Sequence, residues 1–118
     1  MATSIIKNMD YVIEQGTSGV WTYRKWKSGI KECWCNSTTG TSYTMSANGA
    51  LYISSDLEIA LPSGLFTATP TVQGMVLTGG GMWVKCTGST SSSKIVYTIL
   101  RTNTTVASLN YSFYCIGK

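Results

Sequence analysis

Apolar and polar positions alternate along this chain in short runs, and no helical period persists beyond a turn or two. Asp10–Gln15 (DYVIEQ), Val20–Trp26 (VWTYRKW) and Ile30–Cys35 (IKECWC) read as strands. The first two are separated by the turn-like GTSG of residues 16–19. The next two are joined by Lys27-Ser28-Gly29, a three-residue loop with glycine where a left-handed residue is needed. That loop sets Trp26 opposite Ile30 and Arg24 opposite Glu32. Thr22, Arg24, Trp26, Ile30, Glu32 and Trp34 then share one face; Trp21, Tyr23, Lys25, Lys31, Cys33 and Cys35 share the other. A two-residue turn at Ser28-Gly29 would instead oppose Lys25 and Glu32, relieving a Lys25–Lys31 contact, so local pattern alone leaves two registers open.

Beyond a polar loop, Tyr43–Leu61 carries Asn48-Gly49, a strong hairpin signal, and Leu61–Pro70 holds both prolines and predicts a bend. Thr71–Leu77, Met82–Gly88, Lys94–Leu100 and Val106–Gly117 complete the set of strands, separated by TGGG, STSSS and RTNTT. Short strands with short polar turns predict an all-β chain, a single antiparallel β-sandwich.

Composition reinforces the strand reading. Charged residues make up only 12% of the 118, while 15 Ser and 17 Thr accompany 43% hydrophobic residues, which excludes a disordered segment and favours strands over helices. One domain is the expectation at this length. No apolar run approaches a membrane span, and the segment after Met1 (ATSIIKN) lacks the basic leader and apolar stretch of a signal peptide, so a soluble chain with no membrane insertion is expected. The net charge of +4 is spread thinly except at residues 24–31. There, basic residues interleave with Trp and Tyr, a composition that suits single-stranded nucleic acid. Strand alternation opposes that use, since Arg24 and Lys25 point to opposite faces, and no nucleic-acid partner is expected.

The chemistry is largely negative. The absence of histidine removes Ser-His-Asp and Cys-His mechanisms and the commonest metal ligand. Cys33-Trp34-Cys35 has the wrong spacing for a zinc knuckle and the wrong geometry for an easy disulfide, so buried free thiols are expected; Cys86 and Cys115 lie on strands, and spacing alone leaves their meeting across a sheet open. No metal site and no cofactor are expected. Asp56 and Glu58 share a strand face and are the only acids close together, but two solvated side chains explain them better than a glycosidase pair. Thr78–Trp83 (TGGGMW) lacks the helix and Lys-Ser/Thr of a phosphate loop and reads as a strand connection.

Three stretches together, GTSGVWTYRKWKSGIKECWC, LPSGLFTATPTVQG and the terminal YSFYCIGK, resemble the C-terminal tip (receptor-binding) domain of bacteriophage and prophage tail-fibre proteins, especially those of Gram-positive hosts. Trp21, Tyr23, Lys25, Trp26, Gly29, Glu32 and Trp34 match its aromatic hairpin. Leu61, Pro62, Phe66, Pro70 and Val72 match its Pro-and-Phe segment, and Ile116-Gly117 its ending. Cys35 departs from the pattern, which commonly has Gly there. The resemblance covers residues 10–118, leaving residues 1–9 as a leader or remnant of an upstream fibre stalk.

It implies a β-sandwich assembled as a parallel homotrimer, carried on the virion tail, assembled in the host cytoplasm, and binding a host cell-surface saccharide or protein without catalysis. The alternatives are a trimerisation or folding cap with no ligand, and less readily a glycan-degrading enzyme. The aromatic hairpin is expected to be structural, its Lys and Arg heads reaching solvent. The expected ligand-binding residues are Trp83 as a stacking platform, Tyr97 and Tyr111 as partial platforms, and Arg101 and Asn103 as donors from the RTNTT turn. No catalytic residue is expected.

Overall fold

The computed structural model describes residues 9–77 and 82–118. Among them there is no helix, and ten strands run in order: β1 (Val12–Ser18), β2 (Trp21–Trp26), β3 (Lys31–Thr38), β4 (Met45–Asn48), β5 (Leu51–Ser54), β6 (Leu57–Ala60), β7 (Thr71–Val76), β8 (Met82–Cys86), β9 (Lys94–Arg101) and β10 (Asn110–Gly117). All pairings are antiparallel and form two sheets. One has the order β1-β2-β3-β10-β7; in the other, β4 pairs with β5, while β5 and β6 share one edge of β9 and β8 takes the opposite edge. Apart from Met9, the expected stalk remnant lies outside the described residues, as does the Thr78–Gly81 connection.

The β2–β3 hairpin adopts the first of the two registers open to it. Arg24 pairs with Glu32 and Lys25 with Lys31. Its three-residue loop is closed by Trp26 N–H donating to the Ile30 carbonyl (2.9 Å) and Gly29 N–H to the Trp26 carbonyl (3.0 Å), with Gly29 at φ 94°. A side chain is strained at that φ, so glycine is the residue this three-residue loop requires. Asp10 braces the turn, accepting from the Ser28 amide at 3.0 Å and hydroxyl at 2.6 Å, contacts that hold its carboxyl below the usual range.

Two boundaries differ from expectation. β1 runs through Gly16, Thr17 and Ser18, which pair with Tyr23, Thr22 and Trp21, so the GTSG turn contracts to Gly19-Val20. The second hairpin turns at Gly49-Ala50, one residue later than Asn48-Gly49, because Asn48 itself pairs with Leu51. In both, pairing continues until only two residues remain to reverse the chain.

The core lies between the sheets. Trp21, Cys33, Cys35, Tyr111, Phe113 and Cys115 come from the first sheet, and Ile95, Tyr97 and Ile99 from the second. Tyr97, Tyr111 and Phe113 form an aromatic triangle with ring centroids 5.0–5.5 Å apart. β9 is buried on both faces, which explains the near-continuous apolar run of IVYTIL. Where its ladder passes from β6 to β5, the Ser54 hydroxyl accepts the Ile99 amide at 2.8 Å, so that buried donor is satisfied without a strand partner. The Pro-containing segment does not form a strand; it tucks Leu61, Pro62, Leu65, Phe66 and Pro70 inward, and Thr67 N–H donates to the Lys118 carbonyl.

All four cysteines are free, and three are buried. Cys115 faces Cys33 across β10 and β3, and it also lies close enough to Cys86 on β8 to help raise that thiol, so Cys86 and Cys115 approach each other without a bond. Contact with Cys33 and burial push the Cys115 thiol far up, and burial pushes Cys35 to about 11.

Candidate functional site

The residues expected to bind a ligand separate into three environments. Trp83 lies on β8, where Val84 and Cys86 pack toward the core and Trp83 points away from it, 51% exposed. Tyr97 and Tyr111, at 2% and 3%, are core residues and offer no platform on this chain. Their phenols are pushed up chiefly by burial. The period-two sets Ile95/Tyr97/Ile99 and Tyr111/Phe113/Cys115 carry the signal that places them inside. Arg101 is 9% exposed and its Nη1 donates to the Thr105 carbonyl at 2.7 Å; Asn103 Oδ1 accepts the Thr105 amide at 3.0 Å. Arg101 shapes the RTNTT turn from within, and Asn103 braces it from an exposed position. Of the five, Trp83 and Asn103 are exposed, and Trp83 is the one aromatic ring among them open to solvent.

The outer face of the first sheet carries a polar and aromatic nest that sequence reasoning placed on one face without recognising its chemistry. Glu32, only 8% exposed, accepts from Trp26 Nε1 at 2.9 Å and from the Tyr114 hydroxyl, and Arg24 Nη1 lies 3.5 Å from it. The Arg24 guanidinium rests over Trp34 (5.2 Å to the ring centroid) and Trp26 (6.0 Å). The Glu32 contact pushes the Tyr114 phenol up to about 12. Every charge here has a partner, and both indoles are covered on one side by the guanidinium. Trp21, by contrast, faces inward with Nε1 donating to the Ala60 carbonyl at 2.7 Å, so the aromatic hairpin is structural on both faces.

A third region is an open cleft of about 250 Å3 where the β1–β2 hairpin meets the Pro62–Leu65 turn. Thr17, Ser18, Tyr23, Lys25 and Ser63 line it together with Pro62, Gly64 and Leu65. Lys25 Nζ lies 3.3 Å from Glu14 and 5.8 Å from the centre of the Tyr23 ring. The Tyr23 hydroxyl bonds Glu14, which lowers the carboxyl and raises the phenol. Strand alternation creates this grouping: Tyr23 and Lys25 share the face opposite Arg24, as expected, and Glu14 pairs directly with Lys25. The contribution of residues 62–65 comes from a distant part of the chain and left no sequence signal.

The acid pair does not assemble a reaction site. Glu58 is exposed and ion-paired with Lys94 at 2.9 Å, and Asp56 is exposed in the connection before β6. Among the described residues, no group of three or more His, Cys, Asp or Glu side chains is placed to hold a metal ion, and no helix is long and apolar enough to cross a membrane.

No protein-family model matches the chain, and no curated protein matches it. Among solved structures, an N-truncated R1-type pyocin tail fibre is similar, with a TM-score of 0.60 over 100% of this chain and 97% of the other. Sequence identity is 14%, so what the two proteins share is a fold, and this chain has the β-fold seen in that tail fibre.

Proposed function

We propose that residues 10–118 are the tip domain of a phage or prophage tail fibre, which attaches the particle to its host by binding a cell-surface saccharide without catalysis. The observation that carries this reading is the fold likeness to a tail fibre across essentially the full length of both chains. Low charge, abundant hydroxyls and the lack of histidine agree with recognition of a polar surface in preference to acid-base chemistry. In this reading the domain sits on the virion tail, continues from a stalk through residues 1–9, and acts as a homotrimer whose three copies raise a weak single-site affinity by avidity, roughly a hundredfold or more. The test is adhesion of the labelled protein to a panel of bacterial cells. Saturable binding that added surface glycan competes away is expected; absence of binding to every strain, alone and on the complete fibre, overturns the reading.

A ligand-free trimerisation cap is the second reading, favoured by apolar side chains exposed beside the edge strand β1: Met9, Tyr11, Val12 and Ile13. A cap is trimeric but adheres to no cell.

A further inference from the structure

We propose that the cleft between the β1–β2 hairpin and the Pro62–Leu65 turn is a binding site for one neutral sugar ring, an assignment that rests on the tail-fibre reading for its biological use. The argument turns on which polar groups are still free to bond. In the nest on the outer sheet face, Glu32 is fully engaged by Trp26, Tyr114 and Arg24, and Arg24 covers the indoles, so that surface holds itself together and offers little to a ligand. In the cleft, Ser18 shares the Tyr23 face of the β1–β2 hairpin and Ser63 lies on the facing turn, and among the described residues neither hydroxyl bonds another group; Thr17, opposite Thr22, contributes backbone, its side chain being on the other face. Hydroxyls both donate and accept, which matches the alternating demands of a sugar's own hydroxyls.

The rest of the lining fits the same ligand. Lys25 supplies ammonium donors, and its ion pair with Glu14 balances its charge, which favours a neutral ring over an acidic one. The Tyr23–Glu14 bond and the Lys25–Tyr23 contact hold both side chains at the wall. Pro62 and Leu65 are tucked inward and shape the floor, leaving the exposed lining mainly polar. At about 250 Å3 the cleft falls just below the roughly 300–1,000 Å3 of pockets for drug-sized ligands, room for one ring and not for an enclosed chain. Binding of a single ring in so open a site is expected to be millimolar.

The experiment is a nuclear magnetic resonance titration of the full chain with glucose, galactose and N-acetylglucosamine, and with glucuronate as the charged comparison. Saturable shifts are expected at the amides of Thr17, Ser18, Ser63 and Gly64 with at least one neutral sugar, and weaker ones with glucuronate. Ser63→Trp fills the cleft from an exposed turn and should abolish the shifts. Ser18→Ala removes one hydroxyl without adding bulk and should weaken binding about fivefold, whereas Thr17→Ala, on the other face, should leave it unchanged. Absence of saturable shifts with all three neutral sugars, a preference for glucuronate, or unchanged binding in folded Ser63→Trp or Ser18→Ala overturns the assignment. Cell adhesion separates the two readings. Adhesion that survives Ser63→Trp rejects the cleft and leaves the fibre-tip function standing; sugar shifts in a protein that adheres to no cell keep the cleft and reject the function.

Discussion

Trp21 and Trp34 show how much one residue's direction matters. Both belong to the aromatic hairpin, but Trp21 is 3% exposed in the core, whereas Trp34 lies on the outer face beneath Arg24. Trp21→Ala is expected to cost about 3 to 5 kcal/mol in urea unfolding, and Trp34→Ala less. Glu32→Ala would leave the Trp26 and Tyr114 donors and the Arg24 charge without their shared acceptor; a loss of about 1.5 to 3 kcal/mol is expected in the same measurement. Gly74 is needed for a close approach: a Cβ there would lie 2.5 Å from the ring of Phe113, which is fully buried, so Gly74→Ala is expected to cost about 1 to 3 kcal/mol. The phenol of Tyr114 and the thiol of Cys35 have folded pKa values near 12 and 11, above their ordinary values near 10 and 9. Their protonated forms therefore add stability that is complete below pH about 9 and lost as pH rises through 11 and 12. A melting-temperature series should fall above pH about 9, and Tyr114→Phe should flatten the upper part of that fall.

At the scale of elements, the β2–β3 hairpin is governed by its loop. Lys27 is exposed there, and Lys27→Ala should change stability by less than about 0.5 kcal/mol. Gly29→Ala at φ 94° should cost about 1 to 2 kcal/mol; equal effects for the two would place the turn elsewhere. β3 and β10 form the thiol-bearing seam, with Cys33 opposite Cys115 and Cys35 opposite Phe113. Burial of these three, with the thiols of Cys35 and Cys115 raised, predicts their slow modification in the native protein by a neutral-pH thiol reagent, and four free thiols on titration in denaturant without reductant.

For the whole molecule, the apolar side chains beside β1 lie along a sheet edge, a feature that monomeric β proteins usually cover or charge. The proposed trimer would cover it. Size exclusion with light scattering is expected to give three times the 12.8 kDa chain mass, and Ile13→Lys on that strand should shift the population toward monomer. A clean monomer at micromolar concentration would remove the assembly and its avidity from the functional proposal.

The sequence by itself determined the strand class, the presence of the β2–β3 hairpin and the opposite facing of Arg24 and Lys25, because these depend on period-two alternation, while it left two hairpin registers open and the structure chose between them. It also carried the inward facing of Tyr97 and Tyr111 in the residues two positions either side of them, although an aromatic ring with a hydroxyl suits a core and a binding surface equally well. Tertiary structure alone decided the rest. Burial of Glu32 required Tyr114 to arrive from β10, the partnering of Cys33 with Cys115 required β3 and β10 to become neighbours, and the cleft required residues 62–65 to fold onto residues 17–25. Such long-range contacts depend on sheet order, and sheet order is set by the packing of the whole core and not by any local run of residues.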